Sequence, residues 1–278
     1  MTLRQQVQEF IEGQKELLSP TTIKAYADRL ERFIAFADDR KVTPVLMTKY
    51  IPSLLADGLA RRSALAYYGT VQTLYVWLVE AGLSIGNPVP KLKRFVVPAS
   101  DRQPVLSHEY DNLMSTAREE GRADWLYAIR CGWETGLRLG DVATLRWPEV
   151  DLVALCIKRT PIKTSRFGKV VEIPITEGLL RMMRDCPPYA EGDPSFICPR
   201  MAQQHKWDQH KTLSSQFSRL AAKAGVKKSF HCLRHGFVAR MLNKGVPAAV
   251  VQSFTGHSLR QLQGYSHVDM ETKRNALA

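Results

Sequence analysis

The sequence predicts a mainly α-helical protein with one small antiparallel β-sheet, divided into an all-helical first domain and a larger α+β second domain. Three observations predict it. Apolar residues recur at helical spacing along most of the chain. A proline-rich, cationic stretch, GNPVPKLKRFVVPASDRQP, interrupts that pattern about a third of the way along. Two β-branched runs flank a polar turn around Gly168. With 278 residues, 45% of them hydrophobic, the chain is long enough for each domain to bury its own core.

The elements follow in order. One helix lies between Leu3 and Leu18. Ser19-Pro20 reads as an N-cap with proline at the first helical position, and Ile23, Tyr26, Leu30, Phe33, Ile34 and Ala37 then form a stripe. A third helix runs from near Thr48 to about Asp57. Ser63 caps a fourth, striped by Leu65, Val71, Leu74, Tyr75 and Leu78 and stopped by Gly82. Pro88, Pro90, Pro98 and Pro104 exclude a packed helix from the next stretch. This places a first domain at 1–94, a linker at 95–104 and a second domain at 105–278. The cations Lys91, Lys93 and Arg94 either solvate a loop or form a basic strap for a duplex. Ser107 then caps a helix through Leu113 and Met114, and another runs from about Ala123 to Gly136. The runs in LCIKRTPIKTSRFGKVVEIPI form the hairpin. Helical pattern resumes over Thr176–Asp185, Thr212–Ala224, Phe230–Asn243 and Pro247–Phe254.

Composition narrows the function. Lys plus Arg number 39 against 27 Asp plus Glu, a net charge of +12, which attracts a polyanion over a Debye length. The five cysteines lack the close pairs of a zinc site or disulfide framework and read as reduced thiols. His205 and His210 have half of a zinc-finger spacing but no CxxC partner, so they are expected as solvated loop histidines. The opening MTLRQQVQEF has no charged-then-apolar leader, and no run approaches a membrane span. The expectation is work in the cytosol or on the nucleoid.

Candidate chemistry concentrates in the second domain. TGLRLGD places Arg138 just past a helix end. HCLRH places His231, Arg234 and His235 at i, i+3 and i+4, on one helix face. A guanidinium is shaped to bind two phosphate oxygens at once, so two arginines with flanking imidazoles suit a phosphodiester and the charge that grows on it during in-line displacement. Taken singly, Arg138 also reads as a surface arginine and HCLRH as a solvated helix face.

Joined to TGHS and GYSHVD, these segments make the chain resemble the tyrosine recombinases, also called phage integrases, over nearly its whole length. The resemblance implies a SAM-like helical core-binding domain and a catalytic domain forming a C-shaped clamp around DNA. It implies catalytic roles for Arg138, Lys163, His231, Arg234 and His257, with Tyr265 as nucleophile and Asp141 and His235 in support. Lys163 is favoured over Lys158 and Lys169 by the KT dipeptide that it opens. The implied reaction is cleavage and rejoining of strands through a phosphotyrosyl intermediate and a Holliday junction, without metal or other cofactor. The implied partners are double-stranded recombination sites, further copies of the chain (a dimer per site, a tetramer in synapsis), and accessory DNA-bending or directionality proteins. Integration and excision of a phage or mobile element, resolution of replicon dimers, a catalytically silent DNA-binding scaffold and a type IB topoisomerase are the competing functions.

The chain departs from the family's pattern at three points. Seven residues separate His257 from Tyr265, one fewer than usual. One deletion turns a helix by about 100°, so it falls in the loop before the tyrosine or displaces the nucleophile. Leu262 and Gln263 replace the usual threonines. Thr255 replaces a leucine, which reads as a packing change.

Overall fold

The computed structural model describes residues 1–92, 95–96, 103–168, 170–186, 192–208, 211–256 and 262. Lys93, Arg94, Lys169, His210, His257, Gln263 and Tyr265 lie outside the described residues. The chain divides into two compact units, Met1–Ser100 and Asp101–Ala278. Among the described residues it forms twelve α-helices and one three-stranded antiparallel sheet.

The first unit holds α1 (Leu3–Gln14), α2 (Pro20–Ala37), α3 (Pro44–Ala56) and α4 (Arg61–Glu80). Thr2 and Gln5 close a capping box on α1, and Ser19 Oγ accepts from Thr22 N at 3.3 Å to start α2. α3 begins four residues before the expected Thr48. Thr43 caps it by accepting from Leu46 N at 3.1 Å, with Pro44 at the first helical position, the same signal as Ser19-Pro20. α4 is capped by Ala60 rather than Ser63, with no side-chain bond, so Ser63 is already inside the helix. Phe10, Leu30, Phe33, Tyr50, Leu54, Tyr68 and Leu74 fill the core between these helices. The chain beyond α4 folds back on it: Tyr68 donates its hydroxyl to Pro90 O at 2.7 Å, and the Arg61 guanidinium lies 4.6 Å from the Phe95 ring. Lys91 is exposed.

The second unit is built around α6 (Ala123–Thr135), which packs against α5 (Ser107–Glu119), α7 (Leu139–Ala143), α8 (Glu177–Arg184) and α11 (His231–Asn243). Leu106, not Ser107, caps α5, its N–H donating to Glu109 Oε2 at 2.7 Å. Trp125, Tyr127, Ala128, Ile129 and Cys131 of α6 are fully buried, each large apolar side chain contributing about 1.5–3 kcal/mol of transfer free energy. Gly132 admits α11 closely, since a Cβ there would lie 2.7 Å from the Phe230 ring. The sheet runs β1 (Val150–Asp151), β2 (Cys156–Arg159), β3 (Val171–Pro174), with Ile157 opposite Ile173 and Arg159 opposite Val171. A 3₁₀ segment, Ile162–Phe167, joins β2 to β3 and ends at Gly168 with φ 61°. Then come α8, α9 (Pro199–Asp208), α10 (Lys211–Lys223), α11 and α12 (Ala248–Thr255). α7 and α9 were not expected. His205 accordingly sits half-buried on a helix rather than in a solvated loop, because a glycine on α7 makes room for its ring. All five cysteines are buried and unpaired as disulfides.

Candidate active site

The site begins where α6 stops. Gly136 ends that helix in the left-handed region at φ 67°, turning the chain so that Arg138 becomes the N-cap residue of α7, in extended conformation. The Arg138 side chain is 25% exposed, and its Nη1 lies 3.9 Å from Asp141 Oδ2, one turn along α7. Asp141 is 2% exposed, a burial that a carboxylate tolerates only with partners. Its Oδ1 accepts from Ile162 N at 2.8 Å and lies 3.6 Å from Arg159 Nε.

Arg159 is the residue that sequence reasoning missed. It is 4% exposed on β2, where its Nη1 donates to Thr144 O at 3.1 Å and Glu149 Oε2 at 2.8 Å, and its Nη2 to Thr144 Oγ1 at 2.6 Å. One guanidinium thus ties the hairpin to the end of α7 and to the turn after it. The signal was present in the two-residue period of the strand, which puts Arg159 on the same inward face as Ile157. A charged residue at an inward position requires a partner.

Asp141 also bears on the lysine assignment. Through Ile162 N it fixes the start of the 3₁₀ segment, and Lys163, exposed, is the next residue. Lys158 instead points outward from β2, 3.5 Å from Asp151 and 3.6 Å from Glu172, and Coulombic attraction to Glu172 leads the effects that raise its pKa.

The third part of the site comes from α11. Arg234 is 2% exposed, and its Nη1 donates to Gly136 O at 2.7 Å while its Nη2 donates to Thr255 O at 2.6 Å. Gly136 lies two residues before Arg138, and Thr255 two before His257. The same guanidinium therefore joins the TGLR turn, the HCLRH helix and the end of α12. Thr255 is 1% exposed, and its hydroxyl donates to Val251 O at 2.7 Å, so the threonine adds no unsatisfied group where the family has leucine. Gly256 then ends α12 at φ 66°. His231 and His235, a turn apart and half-buried, meet edge to face with ring centroids 4.6 Å apart. Leu262, three residues before Tyr265, is 4% exposed and packs with Phe237, Val238 and Val251.

The structure thus brings Arg138 and Arg159 into ion pairs with Asp141, which also accepts from the backbone N–H of the residue preceding Lys163, and Arg234 reaches the same turn through Gly136 O. Two cationic guanidinium groups near one turn can neutralise a pentacoordinate phosphate. Among the described residues, no group of three or more His, Cys, Asp or Glu side chains could hold a metal ion, and no helix is long and apolar enough to cross a membrane.

Comparison with known proteins gives a consistent picture. The phage integrase family model matches residues 104–272, and that of the phage integrase N-terminal SAM-like domain matches residues 6–82. The tyrosine recombinase XerC of Oceanobacillus iheyensis is 26% identical, over 96% of this chain and 92% of that protein. Among solved structures, the Tn1549 transposon integrase in complex with transposon right end DNA superposes with a TM-score of 0.78 at 17% identity, covering 100% of this chain and 98% of the other. A lambda integrase from a tetramer bound to a Holliday junction gives 0.76 at 17% identity, covering 96% and 78%. At such identities the two integrase structures establish the shared fold alone.

Proposed function

The chain belongs to the phage integrase family, and from that premise we propose that it is a site-specific DNA recombinase whose nucleophile is Tyr265. The phenolic oxygen attacks a backbone phosphorus, the bond from phosphorus to the 5′ oxygen breaks, and a 3′-phosphotyrosine forms. Lys163 gives a proton to the departing 5′ oxygen, while Arg138 and Arg234 stabilise the charge on the non-bridging oxygens and His231 and His257 exchange protons or donate hydrogen bonds. The phosphotyrosine keeps the energy of the broken bond. A 5′ hydroxyl from another strand attacks it, releases the tyrosine and yields a Holliday junction without ATP.

The observation that carries this reading is Arg234 holding Gly136 O and Thr255 O together, because it gathers segments distant in sequence around a single guanidinium. The likeness to an integrase tetramer on a Holliday junction supports self-association on DNA, a dimer at each site and a tetramer in synapsis. Lys91, Lys93 and Arg94 belong to a basic strap at the end of the 1–94 domain that contacts the duplex. Integration and excision of a mobile element is the primary role. The likeness to a XerC recombinase across 92% of that protein favours a second role, resolution of replicon dimers.

A suicide duplex, taken from the flank of its gene and nicked beside the cleavage site, tests the chemistry. Wild-type protein should become covalently attached, and Tyr265→Phe should bind without attachment. Specific binding with no adduct in wild type would mean a silent scaffold, and relaxation of any supercoiled plasmid would mean a topoisomerase.

A further inference from the structure

We propose that the outward face of α9, centred on Trp207, is a contact surface for duplex DNA flanking the cleaved phosphate, an inference that rests on the recombinase reading. Trp207 is 91% exposed, whereas Trp77, Trp133 and Trp147 are half-buried and Trp125 is fully buried. Nothing in the packing of α9 calls for an indole there, since Met201 and Ala202 supply its buried side.

The surroundings identify the partner's chemistry. Arg200, Gln203 and Trp207 follow one another at i, i+3 and i+7 along one side of α9, Lys206 stands beside them, and Lys211 opens α10; all are exposed. The nearby acid, Asp208, accepts from Thr212 N at 2.8 Å and from the Thr212 hydroxyl, whose bond leads the effects that lower its pKa; attraction to Lys211 adds to them, so it offsets at most one of these cations. What remains on offer is a flat aromatic ring among cations. That combination suits a polyanion with apolar faces, the cations meeting phosphates while the indole lies on sugar and base edges. A second copy of the chain, carrying a charge of +12, would be repelled by the same cations.

Position links this face to the reaction. His205, on the opposite side of α9, packs against α7, and a Cβ at Gly140 would lie 2.9 Å from its Nε2. Arg138 caps α7. The Trp207 face therefore stands about one helix diameter, roughly 10 Å, from the turn that carries a catalytic arginine.

Quenching by acrylamide, a neutral probe, tests this on the full chain at low salt with a duplex of arbitrary sequence. The difference between wild type and Trp207→Phe isolates the Trp207 emission, which the duplex should shield. Trp207→Ala should keep its melting temperature, because the side chain is exposed, and weaken duplex binding about tenfold with an unchanged salt slope. Lys206→Ala and Lys211→Ala should each reduce that slope by about one. Duplex binding that leaves Trp207 open to acrylamide and is equally tight in Trp207→Ala overturns the proposal alone. So does a Trp207→Ala change in sedimentation without DNA, which would assign the face to another copy. A wild-type protein that binds no duplex removes the recombinase reading as well.

Discussion

Arg138 and Arg234 share a proposed role in charge neutralisation but occupy different environments, and their substitutions should separate accordingly. Arg138 is 25% exposed and its Asp141 partner is 3.9 Å away, so truncation removes little that holds the fold. Arg138→Ala should lower covalent adduct formation by about 100- to 1,000-fold while duplex affinity and melting temperature stay close to wild type. Arg234 is buried and saturates two backbone carbonyls. Arg234→Ala should lose as much cleavage and also about 3 kcal/mol of stability, through buried acceptors left without donors. Chemical denaturation beside an adduct assay distinguishes the two, and equal stability losses would show that the carbonyl bonds contribute little. The pattern HxxR was readable in the sequence, but this second duty was not. It depends on atoms 98 and 21 residues away along the chain.

Elements place these side chains, and two of them matter beyond their size. The hairpin is held on α7 by Arg159 and Asp141, each almost fully buried. Breaking such a network by removing one partner leaves an uncompensated charge, costing about 3–5 kcal/mol. Arg159→Met should therefore destabilise the second unit by that amount and depress cleavage by loosening the segment that begins at Ile162. A urea melt should reveal the loss, and an unchanged midpoint would contradict the network. Among the described residues, Leu262 is the apolar anchor nearest Tyr265 in sequence. Leu262→Ala should cost about 2–4 kcal/mol and reduce adduct formation more than duplex binding; equal reductions would mean that it serves packing alone. These elements also mark how far sequence reading reached. A long helix with a Ser cap and a stripe was legible, as α2 shows, and the eight-residue α8 was found from its helical pattern. α7 has five residues, too few for a period to register, and α9 buries only Pro199, Met201 and Ala202 in a polar run. Ser63 and Ser107 failed as caps because the chain had already entered the helix at Arg61 and Ser107. At α5 the start is marked by Glu109, whose carboxylate accepts from Leu106 N, and at α4 no side chain makes a cap bond.

At the scale of the whole molecule the governing quantity is charge. The excess of 39 basic over 27 acidic side chains is larger than the stability of the fold requires, since several of the ion pairs are exposed ones of small worth. Self-repulsion from +12 opposes compaction, so the surplus is retained at a cost and calls for a partner that offsets it. DNA does so by counterion release. Each phosphate contacted frees condensed cations, and log Kd then rises with log salt at a slope of about 0.9 per contact. The contacts proposed for both units should be numerous enough for affinity to fall by about 1,000-fold or more between roughly 50 and 200 mM salt. Fluorescence anisotropy of a labelled duplex across that range measures the slope. Because the role proposed for Arg138 is confined to one phosphate, Arg138→Ala should change the slope by no more than about one while abolishing most cleavage. A flat salt response in wild type would separate the family's fold from its use of DNA, since no distribution of +12 charges that wraps a duplex can bind it without displacing ions.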